Sequence, residues 1–204
     1  MKVVVIGATG LIGKAVTALL TDKGHEIVQV SRNTQPGLTL EDPASIEAFY
    51  KTLGEVDAVI CAAPQGGGGM GPLTGFSDES VDIYTKSKLL GQVNLVRKGL
   101  SNIRPGGVFI LTGGMSSFLP LPKSSISGML NIALDKFVSR VAPELQDGRR
   151  IVIVHPAAVS ESAVKLGMDG ARFPNAATVA IAYLKALEDT NTGQPVFVEG
   201  YHPQ

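Results

Sequence analysis

The sequence predicts an α/β fold: one doubly wound sheet, mostly or wholly parallel, with helices on both faces. Short β-branched runs alternate with segments of helical period along the whole chain. The runs lack polar alternation, as expected for strands buried on both sides. A glycine-rich turn joins the first run directly to the first helix.

Lys2 to Ile6 is the first such strand. Leu11 to Asp22 follows with apolar residues at Leu11, Val16, Leu19 and Leu20, and Gly24 stands where that helix should stop. Glu26 to Val30 is a second strand. Asp42 and Pro43 form an N-cap and a first-turn proline, opening a helix through about Leu53. Val56 to Ala62 is a strand and Glu79 to Leu100 a long helix. Gly107 to Leu111, Arg150 to Val154 and Pro195 to Glu199 read as strands; Ser127 to Leu145 and Ala176 to Glu188 read as helices. The loops Pro64 to Gly75 and Gly113 to Ser127 are rich in glycine, proline or serine and suit site walls better than linkers. The expectation is a single domain over residues 1–204.

Composition narrows the functional classes. Eighteen basic residues balance eighteen acidic ones, which gives no nucleic-acid surface and no attraction to anionic membranes. The apolar N-terminal run is cut short by Gly7, so neither a signal peptide nor a membrane span is expected. One cysteine, Cys61, precludes an intrachain disulfide and is compatible with a reducing cytoplasm. Three scattered histidines offer no metal-ligand spacing.

The chemistry begins at Gly7-Ala8-Thr9-Gly10-Leu11-Ile12-Gly13. Glycine serves there for a tight turn, for close backbone approach to a pyrophosphate, and for packing of helix on strand. The N–H groups of the helix start, helped by the helix dipole, would face the anion. The bland reading is a plain strand-helix turn, but its place in an N-terminal βαβ unit favours a Rossmann-type dinucleotide site. After the second strand, NAD binders usually carry an acidic residue; this chain has Val30-Ser31-Arg32-Asn33. Arg32 can take a 2′-phosphate with its planar fork, and Ser31 and Asn33 can add hydrogen bonds, so NADP(H) is preferred over NAD(H). A solvated surface arginine is the alternative.

On these residues the chain resembles the short-chain dehydrogenase/reductase superfamily, from Lys2 to about Val198. The Gly-x-x-Gly-x-x-Gly spacing is similar to its extended or atypical branches. Val56 to Ile60 followed by Cys61-Ala62-Ala63-Pro64 is similar to the family's Asn-Asn-Ala-Gly strand end. Leu38 to Asp42 matches the adenine segment, with Thr39 in place of the usual aspartate and Leu40 beside it. Pro156-Ala157-Ala158-Val159 resembles the loop that carries the nicotinamide amide. The resemblance implies an oligomer, a homodimer or homotetramer, built through the two long helices.

The catalytic segment departs from the family. Its tyrosine and lysine, four residues apart on a helix, align with Ser127 and Asn131; its serine aligns with Gly114; its helical asparagine falls near Lys88. No Tyr-x-x-x-Lys occurs downstream of Gly113. Lys88 can supply a proton or a positive charge, and Tyr84, one turn earlier, can share its face. Ser127 and its neighbouring serines are weak acids unless activated. The bland readings are a solvated Lys88 and a core or interface Tyr84. His155 either titrates beside the nicotinamide or is a histidine satisfied at the sheet edge. Cys61 reads as a small core residue.

Two functions follow. One is an NADP(H)-dependent oxidoreductase acting on a small carbonyl or alcohol with a non-standard proton donor. The alternative is a non-redox protein on the same scaffold, a cofactor sensor or an isomerase-type enzyme.

Overall fold

The computed structural model describes residues 1–35, 37–63, 69–165 and 167–203. Its strands are β1 (Lys2–Ile6), β2 (Glu26–Val30), β3 (Val56–Cys61), β4 (Ile103–Thr112), β5 (Arg150–His155) and β6 (Pro195–Phe197). Among the described residues they form one six-stranded sheet in the order β2-β1-β3-β4-β5-β6, parallel at every pairing. The predicted doubly wound Rossmann-type fold is therefore present.

The unalternated strands are explained by burial on two sides. Val3, Val5, Ala58, Ile60, Val108, Ile110, Val152 and Val154 point to one face, under Val16 and Leu20 of α1 (Leu11–Asp22) and Tyr183 of α7 (Ala176–Glu188). Val4, Ile6, Val59, Phe109, Leu111, Ile151 and Ile153 point to the other. There they meet Ile46 and Phe49 of α2 (Pro43–Leu53), Leu95 of α4 (Gln92–Gly99), and Leu134 and Val138 of α5 (Ser125–Val141). β1, β3, β4 and β5 thus each feed two cores at a period of two.

The Asp42 cap is confirmed: its carboxylate accepts from Ala44 N at 2.8 Å, ahead of Pro43 in the first turn. Four expectations need correction. The helix expected over Glu79 to Leu100 is interrupted. It begins as α3 (Asp78–Tyr84), widens to a π-helical stretch over Thr85–Gly91, and resumes as α4. β4 begins at Ile103, because the Pro105-Gly106-Gly107 turn bulges out of register against β3 and the strand continues on both sides of it. α5 ends at Val141, where Pro143 allows only a short 3₁₀ turn over Ala142–Glu144. A short helix, α6 (Ser160–Lys165), occupies part of the segment that had no predicted element.

The order of strands fixes where a ligand can sit. The chain leaves β1 toward β2 and then crosses back to β3, so the connections diverge beyond the carboxyl ends of β1 and β3. The described residues contain no helix long and apolar enough to cross a membrane, and no metal-binding cluster.

Candidate functional site

A cavity of about 400 Å³ opens at that divergence. The glycine loop forms its floor through Gly7, Thr9, Gly10, Leu11 and Ile12; Ser31, Arg32 and Asn33 form one end; Leu38, Leu40 and Glu41 form a side. Ala62, Ala63, Val159, Ser87 and Ser162 close it.

The loop's glycines are required by different atoms. Gly7 has φ +85°, a backbone favouring glycine, and an added Cβ would lie 2.4 Å from Ala63 Cβ. A Cβ on Gly13 would lie 2.0 Å from Gly7 O, so Gly13 serves the turn beneath the cavity and does not line it. Gly10 caps α1 with no side-chain bond, leaving the first-turn N–H groups of that helix to the cavity. Ser31 Oγ accepts from Asn33 N at 3.2 Å, and Ser31 N donates to Thr34 Oγ1 at 2.8 Å; together they shape the turn that carries the exposed Arg32. An uncapped helix start facing a cavity, with a cationic fork at one end, fits a dinucleotide phosphate chain.

Twelve of the residues singled out in sequence for the cofactor line this one cavity: Gly7, Thr9, Gly10, Leu11, Ile12, Ser31, Arg32, Asn33, Leu40, Ala62, Ala63 and Val159. Thr39 does not; its amide donates to Ser45 Oγ at 3.0 Å. Pro156 and Ala157 are half-buried and stand next to the cavity in sequence, but do not line it. Pro64 lies outside the described residues.

Sequence reading missed Ser87. It is 1% exposed, its hydroxyl has no hydrogen-bond partner among the described residues, and it lines the cavity. A buried hydroxyl without a partner costs about 1–3 kcal/mol, so this one points to a ligand group. The wide π-helical stretch carries it inward, and Gly91 brings that stretch onto Leu40, whose carbonyl oxygen would meet an added Cβ at 2.8 Å. A serine before a lysine on a helix gives no signal in sequence; only the helix widening reveals it.

The proposed catalytic residues are placed unequally. Lys88, half-buried at residue level, reaches under the sheet end, and its ammonium donates to the carbonyls of Thr112 and Gly113, each at 2.8 Å. Burial pulls its pKa down to about 8, against attraction from Cys61 and Asp135. Burial pushes the Cys61 thiol up to about 11, as befits an inert core residue. Gln92, fully buried, pins the same strand end: its Oε1 accepts from Thr112 N at 2.8 Å while its Nε2 donates to Thr112 O at 3.0 Å. Asn131 is 4% exposed; its Nδ2 donates to Ser116 Oγ at 2.9 Å and its Oδ1 has no hydrogen-bond partner among the described residues. Ser127 Oγ donates to Ser124 O at 3.2 Å and lies 3.3 Å from Met70 Sδ, and among the described residues no base or cation is hydrogen-bonded to it. Tyr84, half-buried, closes α3, and no hydrogen bond joins it to Lys88 among the described residues. His155, at the end of β5, is fully buried, with Nδ1 3.1 Å from the Gly114 backbone and Nε2 2.8 Å from Asp135 Oδ1.

Comparisons with known proteins agree with this architecture. The family described as NAD dependent epimerase/dehydratase matches residues 3–97, which span the glycine loop through α4. The protein lin1944 from Listeria innocua is 33% identical, with 97% of this chain and 99% of that one covered and a TM-score of 0.89. A small-chain dehydrogenase solved in complex with NADPH is 22% identical over 98% of this chain and 97% of its own, with a TM-score of 0.85. A further small-chain dehydrogenase is 24% identical over 100% of this chain and 99% of its own, at 0.83. No curated protein sequence matches. With the glycine loop, the strand order and a full-length relative in agreement, this chain belongs to the short-chain dehydrogenase/reductase superfamily.

Proposed function

We propose that the protein is an NADP(H)-dependent oxidoreductase acting on a small carbonyl or alcohol, with Lys88 in place of the family's tyrosine as proton donor. The carrying observation is the cavity that joins the glycine loop, Arg32 and Ser87, the residue next to Lys88. The NADPH complex of a small-chain dehydrogenase of the same fold supports the choice of cofactor.

When bound, NADP(H) supplies or accepts the hydride. The helix-start N–H groups beside Gly10, Leu11 and Ile12 would hold the pyrophosphate, and Arg32, Ser31 and Asn33 would take the 2′-phosphate. Leu38 and Leu40 would offer an apolar wall to the adenine, and the Ser87 hydroxyl would find its partner on the adenosine half. Ala62, Ala63 and Val159 would close the cavity around the rest of the nucleotide. An ammonium has three N–H donors, and Lys88 directs two at Thr112 and Gly113. The third is offered to the substrate oxygen and protonates it during reduction. Asn131, with its unpartnered Oδ1, orients the substrate. Tyr84 and Ser127 are assigned supporting places in the pocket wall and no proton transfer. A second reading, a non-redox sensor or isomerase-type enzyme, is favoured by Ser127, whose hydroxyl contacts only Met70 Sδ and Ser124 O among the described residues.

The same reading includes a homo-oligomer: Ile83 and Leu90 on the α3–α4 helix, and Met129 and Ile132 on α5, expose apolar side chains.

Calorimetric titration with NADPH and NADH tests the cofactor. Micromolar NADPH binding, weaker by tenfold or more for NADH and reduced to the NADH level in Arg32→Ala, is the expected outcome. Failure of both nucleotides to bind overturns the proposal. If NADPH binds but no panel of small aldehydes and ketones oxidises it, the sensor reading replaces the reductase.

A further inference from the structure

Lys88 and His155 meet opposite ends of one peptide group. The carbonyl of Gly113 accepts from the Lys88 ammonium at 2.8 Å, and the N–H of Gly114, in the same peptide, lies 3.1 Å from His155 Nδ1. His155 Nε2 lies 2.8 Å from Asp135 Oδ1, on α5. Gly114 O is also 3.1 Å from Nδ1, so the tautomer decides which contact forms. A carboxylate beside Nε2 attracts a proton there and repels a lone pair, which selects the Nε2–H form. Nδ1 is then an acceptor, and the Gly114 N–H donates to it. Hydrogen bonds then run in one direction from Lys88 through the Gly113–Gly114 peptide into His155, whose Nε2 faces Asp135 Oδ1 in a 2.8 Å electrostatic contact, neither of those two atoms having a hydrogen-bond partner among the described residues.

The packing is built around this line. His155 is fully buried, with Phe197 stacked on it at 5.5 Å between ring centroids and Phe118 edge-on at 5.0 Å. A Cβ on Gly113 would fall 2.4 Å from His155 Cε1, and a Cβ on Gly114 would fall 2.8 Å from Asn131 Nδ2. Both glycines are therefore dictated by neighbours rather than by turn geometry, since Gly114 is in extended backbone. The titratable groups around the line are Cys61 from β3 and Asp135 from α5 toward Lys88, Tyr84 on its own helix, Tyr183 from α7 beyond Thr112, and His202 beyond Phe197.

We propose that Asp135 and His155 are positioning residues that act on Lys88 through this one peptide group, fixing its plane and favouring the protonated ammonium. A peptide whose N–H is held by an imidazole presents a more negative carbonyl oxygen to a cation, because successive hydrogen bonds polarise one another. The Asp135 charge adds direct attraction for the Lys88 ammonium. The catalytic consequence rests on Lys88 being the proton donor; the coupling itself does not.

The test therefore uses NMR of the lysine-labelled protein without substrate, with the Lys88 signal assigned by its absence in Lys88→Met. Asp135→Asn is expected to weaken Lys88 proton affinity by about three- to tenfold, and Asp135→Glu is expected to restore most of it. A Lys88 midpoint unmoved in folded Asp135→Asn overturns the proposal. If Asp135→Asn does not fold, the ¹⁵N shifts of His155 in the unaltered protein decide: protonated Nε2 with an acceptor Nδ1 supports the line, and protonated Nδ1 breaks it. Where a reducible substrate is in hand, the alkaline limb of kcat should move down in Asp135→Asn with KM for NADPH unchanged. A purely structural role would lower amplitude and leave that limb in place. Loss of NADPH binding would sink the cofactor reading while leaving these NMR outcomes intact.

Discussion

Lys88 carries more of the proposed chemistry than any other side chain, and its environment makes two claims testable. Burial pulls its pKa in the folded chain down to about 8, below the ordinary lysine value of 10.5. The unfolded chain therefore binds more protons between those values, and stability from this group rises with pH across the window. Below pH 8 the penalty for burying the ammonium is fully present. Relative to Lys88→Met, wild type should gain on the order of 3 kcal/mol between pH 7.5 and 10.5, measured by urea unfolding at several pH values. Activity should run the other way: with the ammonium as acid, reduction falls as pH rises through about 8. Lys88→Met should lose about 10²-fold or more in kcat while NADPH affinity stays within a few fold, measured by single-turnover oxidation of NADPH. At the loop, Gly13→Ala sets a Cβ against Gly7 O, which is backbone and cannot swing aside. The expected cost is about 1–3 kcal/mol with cofactor binding weakened tenfold or more, read by thermal melts and calorimetry.

At the level of elements, the widened helix is the feature that assembles the site. The stretch over Thr85–Gly91 brings Ser87 to the cavity and Lys88 to the end of β4, on successive residues. Apolar periodicity gives a continuous helix over Glu79 to Leu100, and that reading was right about helix and wrong about its pitch. One extra residue per turn leaves no mark in a composition of ordinary helix formers. α7 offers a contrasting element with no part in the chemistry. Asn175 caps it, accepting from Thr178 N at 2.8 Å, and Tyr183 on its inner face bonds Thr112 Oγ1 at 2.6 Å. Asn175→Ala should cost about 1 kcal/mol, lowering Tm by about 2–4 °C, with NADPH affinity unchanged in calorimetry.

For the whole molecule, the sheet separates two tasks. Its amino-terminal ends and flanking helices bury the two cores, while the carboxyl ends of β1, β3, β4 and β5 carry Gly7, Ala62, Gly113 and His155. The proposed oligomer belongs to this scale. If the exposed faces of α3–α4 and α5 pair between copies, the double variant Met129→Glu, Ile132→Glu should run as a monomer in light scattering while the unaltered chain runs as a dimer or tetramer. A monomeric unaltered chain would refute it.

The glycine loop, the parallel doubly wound sheet and most of the cavity wall were legible in the sequence. Those features depend on local requirements: a positive φ at Gly7, no room for a Cβ at Gly13, and β-branched runs buried on both faces. Pro156 and Ala157 were placed by resemblance, and the cavity passes them by. The tertiary structure alone decided the rest. Ser87 and Lys88 are turned to use by a change of helical pitch, and Asp135 meets His155 across twenty residues of chain that sequence spacing cannot bridge. Backbone strain and periodicity are short-range properties and are written in neighbouring residues. Which buried polar groups face one another is set by how α5, the π-helical stretch and the sheet end pack, and that is a property of the assembled molecule.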